Sequence, residues 1–320
     1  MTSFEQANLL DLDTYSNEDI SAVLETAEAM LPILQRPIAR VPTLRGKTVA
    51  MVFSEPSTRT RVSFELAAKS LGADVITIVN SGSSIEKGES ITDTVKTVQS
   101  LGANMLVIRH QASGVPYLAA KTLDIPIINA GDGSHAHPSQ SLLDMFTINS
   151  ELGEIKGKRV VIVGDILHSR VARSNIWGLT KMGATVVLSG PSQLLPSHLQ
   201  EITDFQDRVS TDSNLDRAIE GADVIMALRI QKERMTSMCM PDIREYAQLY
   251  SINKNRLGLA NPNAILMHPG PINRGVEVSD EVAYGEQSKI QSQVINGVAT
   301  RMSIIYLLSG NSREVPIGQS

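Results

Sequence analysis

The 320-residue chain carries a formal net charge of −5, with 42% hydrophobic and 20% charged residues; this describes a globular protein without a general attraction for nucleic acid or acidic membranes, so any anion binding must be local. Its one cysteine, Cys239, excludes an intramolecular disulfide and a cysteine-built zinc site, and no apolar run reaches the roughly 18 residues of a membrane span. The length suffices for two domains of ordinary size, and the first residues lack the basic start and apolar stretch of a leader, so a cytoplasmic location is expected.

Residues 16–34 open with Ser16 and, three on, Asp19, a capping pattern, and repeat apolar residues at Ile20, Val23, Leu24, Ala27 and Leu31, which predicts an amphipathic helix. Strand-like runs follow at 47–53, 75–79, 105–109 and 126–130, with helical stretches at 57–71, 90–101 and 114–123 between them. Strands alternating with helices predict a parallel sheet. Helix 138–149 and the segment 151–157 read as bridge and linker, with a boundary near 150. A second series comprises strand 159–164, helix 170–182 and strands 185–188, 223–228 and 264–267. A last helix covers about 288–308, and the sequence pattern leaves open where it docks. The expected fold class is therefore α/β, two domains, each a mainly parallel sheet flanked by helices. In such sheets ligands bind beyond the carboxyl ends of the strands, which directs attention to the loops there.

The most informative loop is Ser57-Thr58-Arg59-Thr60-Arg61, where an apolar strand runs into a helix start. The first N–H groups of a helix lack intrahelical partners and sit at its partly positive end, so with two hydroxyls and a guanidinium fork they form an anion site. The bland alternative is an ordinary Ser57 N-cap with Arg59 and Arg61 paired to Glu55 and Glu65. Neither the Walker loop nor the Gly-x-Gly-x-x-Gly fingerprint is present. After the next strands come Arg109-His110 and the run Gly131 to Gln140. His137 and Gln140, three apart at a helix start, can point into one cleft, although a histidine there can equally satisfy a loop carbonyl.

Ser57 to Arg61 resembles the phosphate loop of the aspartate/ornithine carbamoyltransferase family, and so do Arg109 at a strand end and His137-Pro138-Ser139-Gln140. The likeness extends through Val163-Gly164-Asp165 with Arg170, through Arg229-Ile230-Gln231-Lys232-Glu233-Arg234, and through His268-Pro269-Gly270-Pro271 to Gly275. The ornithine branch typically carries His-Cys-Leu-Pro and Ser-Met-Gly segments; here the first is His268-Pro269-Gly270-Pro271 and the second is absent, so the aspartate branch is the nearer likeness. A carboxylate fits a guanidinium through two parallel hydrogen bonds, and a dicarboxylate calls for two such grips. The bland alternatives are an Arg170 pair with Asp165 and a solvated charge run at 232–234.

The resemblance implies residues 1–149 as a carbamoyl phosphate-binding domain, with the last helix packed back on it, and residues 150–287 as an aspartate-binding domain. It implies transfer of the carbamoyl group of carbamoyl phosphate to L-aspartate, as in pyrimidine biosynthesis. Ser57, Thr58, Arg59 and Thr60 would hold phosphate; Thr60, Arg109 and His137 would surround the carbamoyl oxygen; Gln140 and the backbone at Gly270 and Pro271 would hold its nitrogen. Arg170, Arg229 and Gln231 would hold aspartate. The loop 80–89 has the small, glycine-punctuated composition of a mobile lid. In it Lys87-Gly88-Glu89 matches a family segment whose lysine reaches the neighbouring subunit's site, which implies a homotrimer with shared sites. Spacing to Lys87 favours Ser83 as a phosphate contact and a one-residue gap favours Ser84, which is taken. Neither metal nor organic cofactor is implied, and association with a regulatory chain or with dihydroorotase is left open. Alternatives are another amino acid as acceptor, or a non-catalytic relative that binds anions or partners.

Overall fold

A computed structural model describes residues 4–79, 90–198, 203–230 and 242–310. Ser84, Lys87, Gln231 and Cys239 lie outside these residues. The chain divides into two compact units, Met1–Leu142 with Asn296–Ser320, and Leu143–Ile295.

The first unit opens with α1 (Asn17–Leu34), and the cap forms as the spacing predicts: Ser16 Oγ accepts from the Asp19 N–H at 3.0 Å while Asp19 returns a bond to the Ser16 N–H. Four strands, β1 (Thr48–Phe53), β2 (Asp74–Val79), β3 (Met105–His110) and β4 (Ile127–Asp132), alternate with α2 (Thr58–Ser70), α3 (Ile91–Ser100) and α4 (Val115–Thr122). All pairings are parallel, in the order β2-β1-β3-β4. The strands read as nearly unbroken apolar runs because helices cover both faces of such a sheet. Ala50, Val52, Leu106, Ile108 and Ile127 pack with Val95 and Val98 of α3 and Val115 and Ala119 of α4, and each large aliphatic side chain so buried contributes about 1.5–3 kcal/mol. The open edge of β4 is covered by Leu9, whose N–H donates to Ile127 O and whose carbonyl accepts from Asn129.

The chain leaves this unit within α5 (Pro138–Leu152) and returns within α11 (Ile290–Gly310). The divisions thus fall inside helices, whereas the sequence reading puts them near 150 and 287. Segment 151–157 reads as a linker, but α5 runs on to Leu152 before Gly153, at φ 86°, ends it. The end of α11 lies against α1 and α2: Ser303 Oγ donates to Val23 O at 2.8 Å, and Arg301 bonds Ser63 Oγ at 3.0 Å with its guanidinium over the Phe64 ring.

The second unit carries β5 (Arg159–Val163), β6 (Thr185–Ser189), β7 (Val209–Thr211), β8 (Val224–Ala227) and β9 (Ile265–Met267), parallel in the order β7-β6-β5-β8-β9. Helices α6 (Arg170–Lys181), α7 (Leu215–Ile219), α8 (Ile243–Tyr250), α9 (Lys254–Leu257) and α10 (Asp280–Ala283) flank it. Strand β7 is absent from the sequence reading because only Val209 of its three residues is buried, too little for a periodic signal. Val161, Val163, Ile225 and Leu266 pack with Leu215 and Ile219 of α7 and Tyr246 of α8.

Candidate active site

Strand order reverses between β1 and β3 in the first unit and between β5 and β8 in the second. These are the two crevices where open parallel sheets bind ligands.

In the first crevice β1 delivers Ser54 to Ser57, and α2 begins at Thr58 with no acidic residue in its first turn. Ser57 occupies the N-cap position with extended backbone, yet its hydroxyl makes no capping hydrogen bond, which corrects the ordinary-cap reading. Thr58 and Arg59 are exposed, Ser57 is half-buried and Thr60 is buried. Glu55 and Glu65 are engaged elsewhere: Glu55 accepts from Arg109 and Glu65 from Lys69. Among the described residues Arg59 and Arg61 take part in no ion pair.

Arg109 lies opposite Phe53 across the β1–β3 ladder. Beyond it the β3–β4 register slips, Ile108 facing Asn129 and His110 facing Asp132, so β4 carries one extra residue there. Such a bulge re-aims side chains at a site. The buried Arg109 guanidinium donates from Nη1 to Ala130 O and from Nη2 to Glu55 Oε1, each at 3.2 Å, and these two bonds fix its plane over the carboxyl edge of the sheet.

The turn after β4 is held by a buried polar network. Asn129 Oδ1 accepts from the Gly131 N–H at 2.8 Å, and Asp132 accepts from Gly114 N, Ala136 N and Asn129 Nδ2. Gly133, at φ 48°, cannot be replaced, because a Cβ there would collide with Ser113. His135 stands between Asp132, at 3.2 Å from Nδ1, and Asp11, at 3.7 Å from Nε2. Burial pushes the Asp11 carboxyl up to about 6, against the Leu12 N–H that lowers it. So held, the chain enters α5: the His137 carbonyl accepts from Gln140 and Ser141 N–H, which makes His137 the N-cap and Pro138 the first helical residue. His137 and Gln140 are both buried.

In the second crevice Gly164, at φ 132°, follows β5 and lets the backbone approach β8, where a Cβ would meet Leu228 at 3.2 Å. Asp165 receives His168, whose Nδ1 lies 2.9 Å from Oδ1, and Arg170 opens α6, buried, after the Ser169 cap. Arg229 is half-buried just beyond β8. Glu277, unnoticed in the sequence, fixes that loop: its buried carboxylate accepts from Ile230 N at 2.9 Å, Asn273 N at 2.8 Å and Asn273 Nδ2 at 2.6 Å. Burial raises its pKa, and these N–H groups oppose the rise. Gly270, at φ 70°, precedes Pro271 through a cis peptide, and its N–H donates to His268 Nδ1 at 2.8 Å. The structure therefore groups Ser57, Thr58, Arg59, Thr60, Arg109, His137 and Gln140 in the first unit and Arg170, Arg229, Gly270 and Pro271 in the second. Among the described residues no cluster of three or more His, Cys, Asp or Glu is arranged to hold a metal, and no helix is long and apolar enough to cross a membrane.

An open parallel sheet in each unit, with the start of α2 at the first strand-order reversal and Arg170 and Arg229 after the central strands of the second, defines a two-unit α/β protein. Residues 7–150 match the carbamoyl-P binding domain, and residues 156–308 the Asp/Orn binding domain, of the aspartate/ornithine carbamoyltransferases. The chain belongs to this family. It is 53% identical over 312 residues, 98% of this chain and 94% of the relative, to the aspartate carbamoyltransferase catalytic subunit of Dehalococcoides mccartyi (strain CBDB1). Among solved structures it is similar to the Trypanosoma cruzi aspartate transcarbamoylase in complex with N-(phosphonacetyl)-L-aspartic acid, at 30% identity and TM-score 0.86 over 96% of this chain and 97% of that one. The ornithine carbamoyltransferase of Pyrococcus furiosus gives the same identity and TM-score over 98% and 100%. The backbone alone thus does not choose the acceptor.

Proposed function

We propose that this chain is an enzyme, the catalytic chain of an aspartate carbamoyltransferase, which transfers the carbamoyl group of carbamoyl phosphate to L-aspartate, giving N-carbamoyl-L-aspartate and phosphate, in cytoplasmic pyrimidine biosynthesis. The observation that carries the reading is the alignment of Ser57 to Thr60, Arg109 and His137 at the carboxyl ends of the neighbouring strands β1, β3 and β4. The N-terminus of α2 with Ser57, Thr58 and Arg59 receives the phosphate; residues 1–149 serve this substrate and residues 150–287 the amino acid. The aspartate amine attacks the carbonyl carbon, and Thr60, Arg109 and His137 donate to the oxygen on which negative charge grows. Because Arg109 is already oriented by Ala130 and Glu55, it spends little reorganisation at that moment. Gln140 and the backbone at Gly270 and Pro271 hold the carbamoyl nitrogen. The departing phosphate takes the amine's proton, so no covalent enzyme intermediate is needed.

Arg170 and Arg229, with Gln231, grip the two acceptor carboxylates, and ornithine would instead need an acidic partner for its distal ammonium. The aspartate relatives at about half identity support the same choice. An assay of the purified chain with carbamoyl phosphate and a panel of amino acids tests it: turnover with aspartate and none with ornithine is expected, and the reverse sinks the assignment. In the same reading Ser84 contacts the phosphate and Lys87 comes from a neighbouring copy in a homotrimer. Arg109→Ala and Lys87→Ala chains, inactive apart, are then expected to regain activity when dissociated and reassembled together, towards about a quarter of the sites. No recovery despite verified exchange refutes the shared site.

A further inference from the structure

A buried polar chain in the second unit runs from α5 to the Gly270 loop through residues so far given no role. Asp144, fully buried, accepts from Asn175 Nδ2 of α6 at 2.9 Å and from Gln293 Nε2 of α11 at 2.8 Å. Gln293, also buried, turns its other face to the β9 loop, where Oε1 accepts the His268 N–H at 2.9 Å. The His268 ring then folds over its own loop, and Nδ1 accepts the Gly270 N–H at 2.8 Å. Each link constrains the next. The His268 backbone N–H can only donate, so the Gln293 amide must present oxygen to it and nitrogen to Asp144. An acceptor Nδ1 in a neutral imidazole leaves the proton on Nε2.

We infer that Asp144, Gln293 and His268 are positioning residues for the transfer reaction: through this chain they set the orientation of the Gly270 peptide, whose backbone presents an acceptor to the carbamoyl nitrogen. The inference rests on the proposed role of Gly270, and its chemistry is specific. The loop needs a hydrogen-bond acceptor at the place of Nδ1 and tolerates loss of the remainder of the ring. Asparagine puts its side-chain oxygen near the Nδ1 position, whereas glutamine reaches towards the Nε2 position.

Two measurements test it on the full-length protein. In the first, ¹⁵N spectra of the wild-type imidazoles, with His268 assigned from its disappearance in His268→Asn, are expected to show Nε2 protonated and Nδ1 bare. This readout needs no substrate, so it is independent of which reaction the chain catalyses. In the second, His268→Gln is expected to lower kcat by about 100-fold, the scale of a small misplacement of a reacting group, with the KM for aspartate little moved. His268→Asn is expected to recover most of that loss. Equal kcat in the two variants, or a His268 protonated on Nδ1, overturns the inference. A wild-type chain that transfers no carbamoyl group overturns the function instead, and the spectra then decide the relay alone.

Discussion

The two units share a parallel-sheet architecture and a crevice at the strand-order reversal, yet they arm those crevices in different ways. In the first unit the donors are the open N-terminus of α2 and side chains standing on strand ends, with Thr58 and Arg59 exposed and Arg109 braced by one carbonyl and one carboxylate. In the second unit the backbones close on each other at Gly164 and Leu228, and the buried carboxylates Asp144 and Glu277 hold the loops through partners far along the chain, where the first unit's Asp132 holds its turn through near neighbours. The difference matches the ligands proposed. A compact dianionic head needs converging donors at a helix end, whereas an extended amino acid needs arginines held at a set separation. Where donors face the transferred group, substitutions should change kcat; where Glu277 holds the Arg229 loop, they should change stability and acceptor binding.

The largest expected effect breaks the comparison if it falls in the wrong unit. On the proposed reading Arg109→Ala removes a fixed donor to the developing oxyanion, and it is expected to lower kcat by about 1,000-fold. Arg229→Ala is expected instead to leave carbamoyl phosphate affinity near normal and to weaken aspartate binding by about 2 kcal/mol or more. Titration calorimetry with each ligand and steady-state kinetics separate the two. A fall in kcat alone for Arg229→Ala would move it to the chemical step.

Glu277→Ala tests the scaffold side. It strands the buried Ile230 N–H and two Asn273 donors, and a urea melt is expected to show about 3 kcal/mol of lost stability, with a raised KM for aspartate through the displaced Arg229 loop. Glu277→Gln keeps an acceptor oxygen and is expected to lose less. If alanine and glutamine melt alike, the carboxylate is not what holds the loop.

The first unit's donors were legible in the sequence and the second unit's supports were not, for a physical reason. Ser57 to Arg61, Arg109 and His137 sit next to apolar strands and helix starts, so local pattern places them on one sheet edge. Glu55 was visible too, but as a neighbour of Arg59 and Arg61; its partner Arg109 comes from another strand, 54 residues on. Asp144 and Gln293 stand 149 positions apart, and nothing in a helical period marks a polar residue as buried against another. Glu277 sits four residues from its Asn273 partner, yet its hold on Ile230 spans 47. Long-range polar pairing leaves no periodic trace, and β7 is too short to leave one.

A smaller effect contrasts how the units treat buried carboxylates. Glu277 is surrounded by N–H donors, whereas Asp11 has the Leu12 N–H and stands near Asp13 and Asp132, with His135 offsetting them. With its folded pKa near 6 and an ordinary value of 3.8, the folded state keeps a proton the unfolded state has shed across that window. Stability therefore falls as pH rises through it, by at most about 3 kcal/mol once both states are ionised. Asp11→Asn keeps an oxygen for Leu12 and removes the charge. Its melting temperature is expected to match wild type near pH 4 and to exceed it at pH 7. A gap independent of pH would show that Asp11 is already balanced by His135.

The smallest effect is the most discriminating, because it asks what one hydroxyl is for. Ser16, Ser90 and Ser169 all stand at helix N-caps and accept the expected N–H, at 3.0 to 3.2 Å, and losing such a cap typically costs about 1 kcal/mol. Ser57 stands at the same position on α2 with extended backbone and does not cap. If its hydroxyl and the open N–H groups behind it are kept for phosphate, Ser57→Ala is expected to leave the melting temperature close to wild type, while Ser169→Ala lowers it. The binding order should reverse: Ser57→Ala is expected to weaken carbamoyl phosphate by about 1.5 kcal/mol, the worth of one hydrogen bond to a charged group at the low end. A Ser57→Ala protein that melts early and binds carbamoyl phosphate normally would return Ser57 to the ordinary caps, and with it the claim that the start of α2 is held open for an anion.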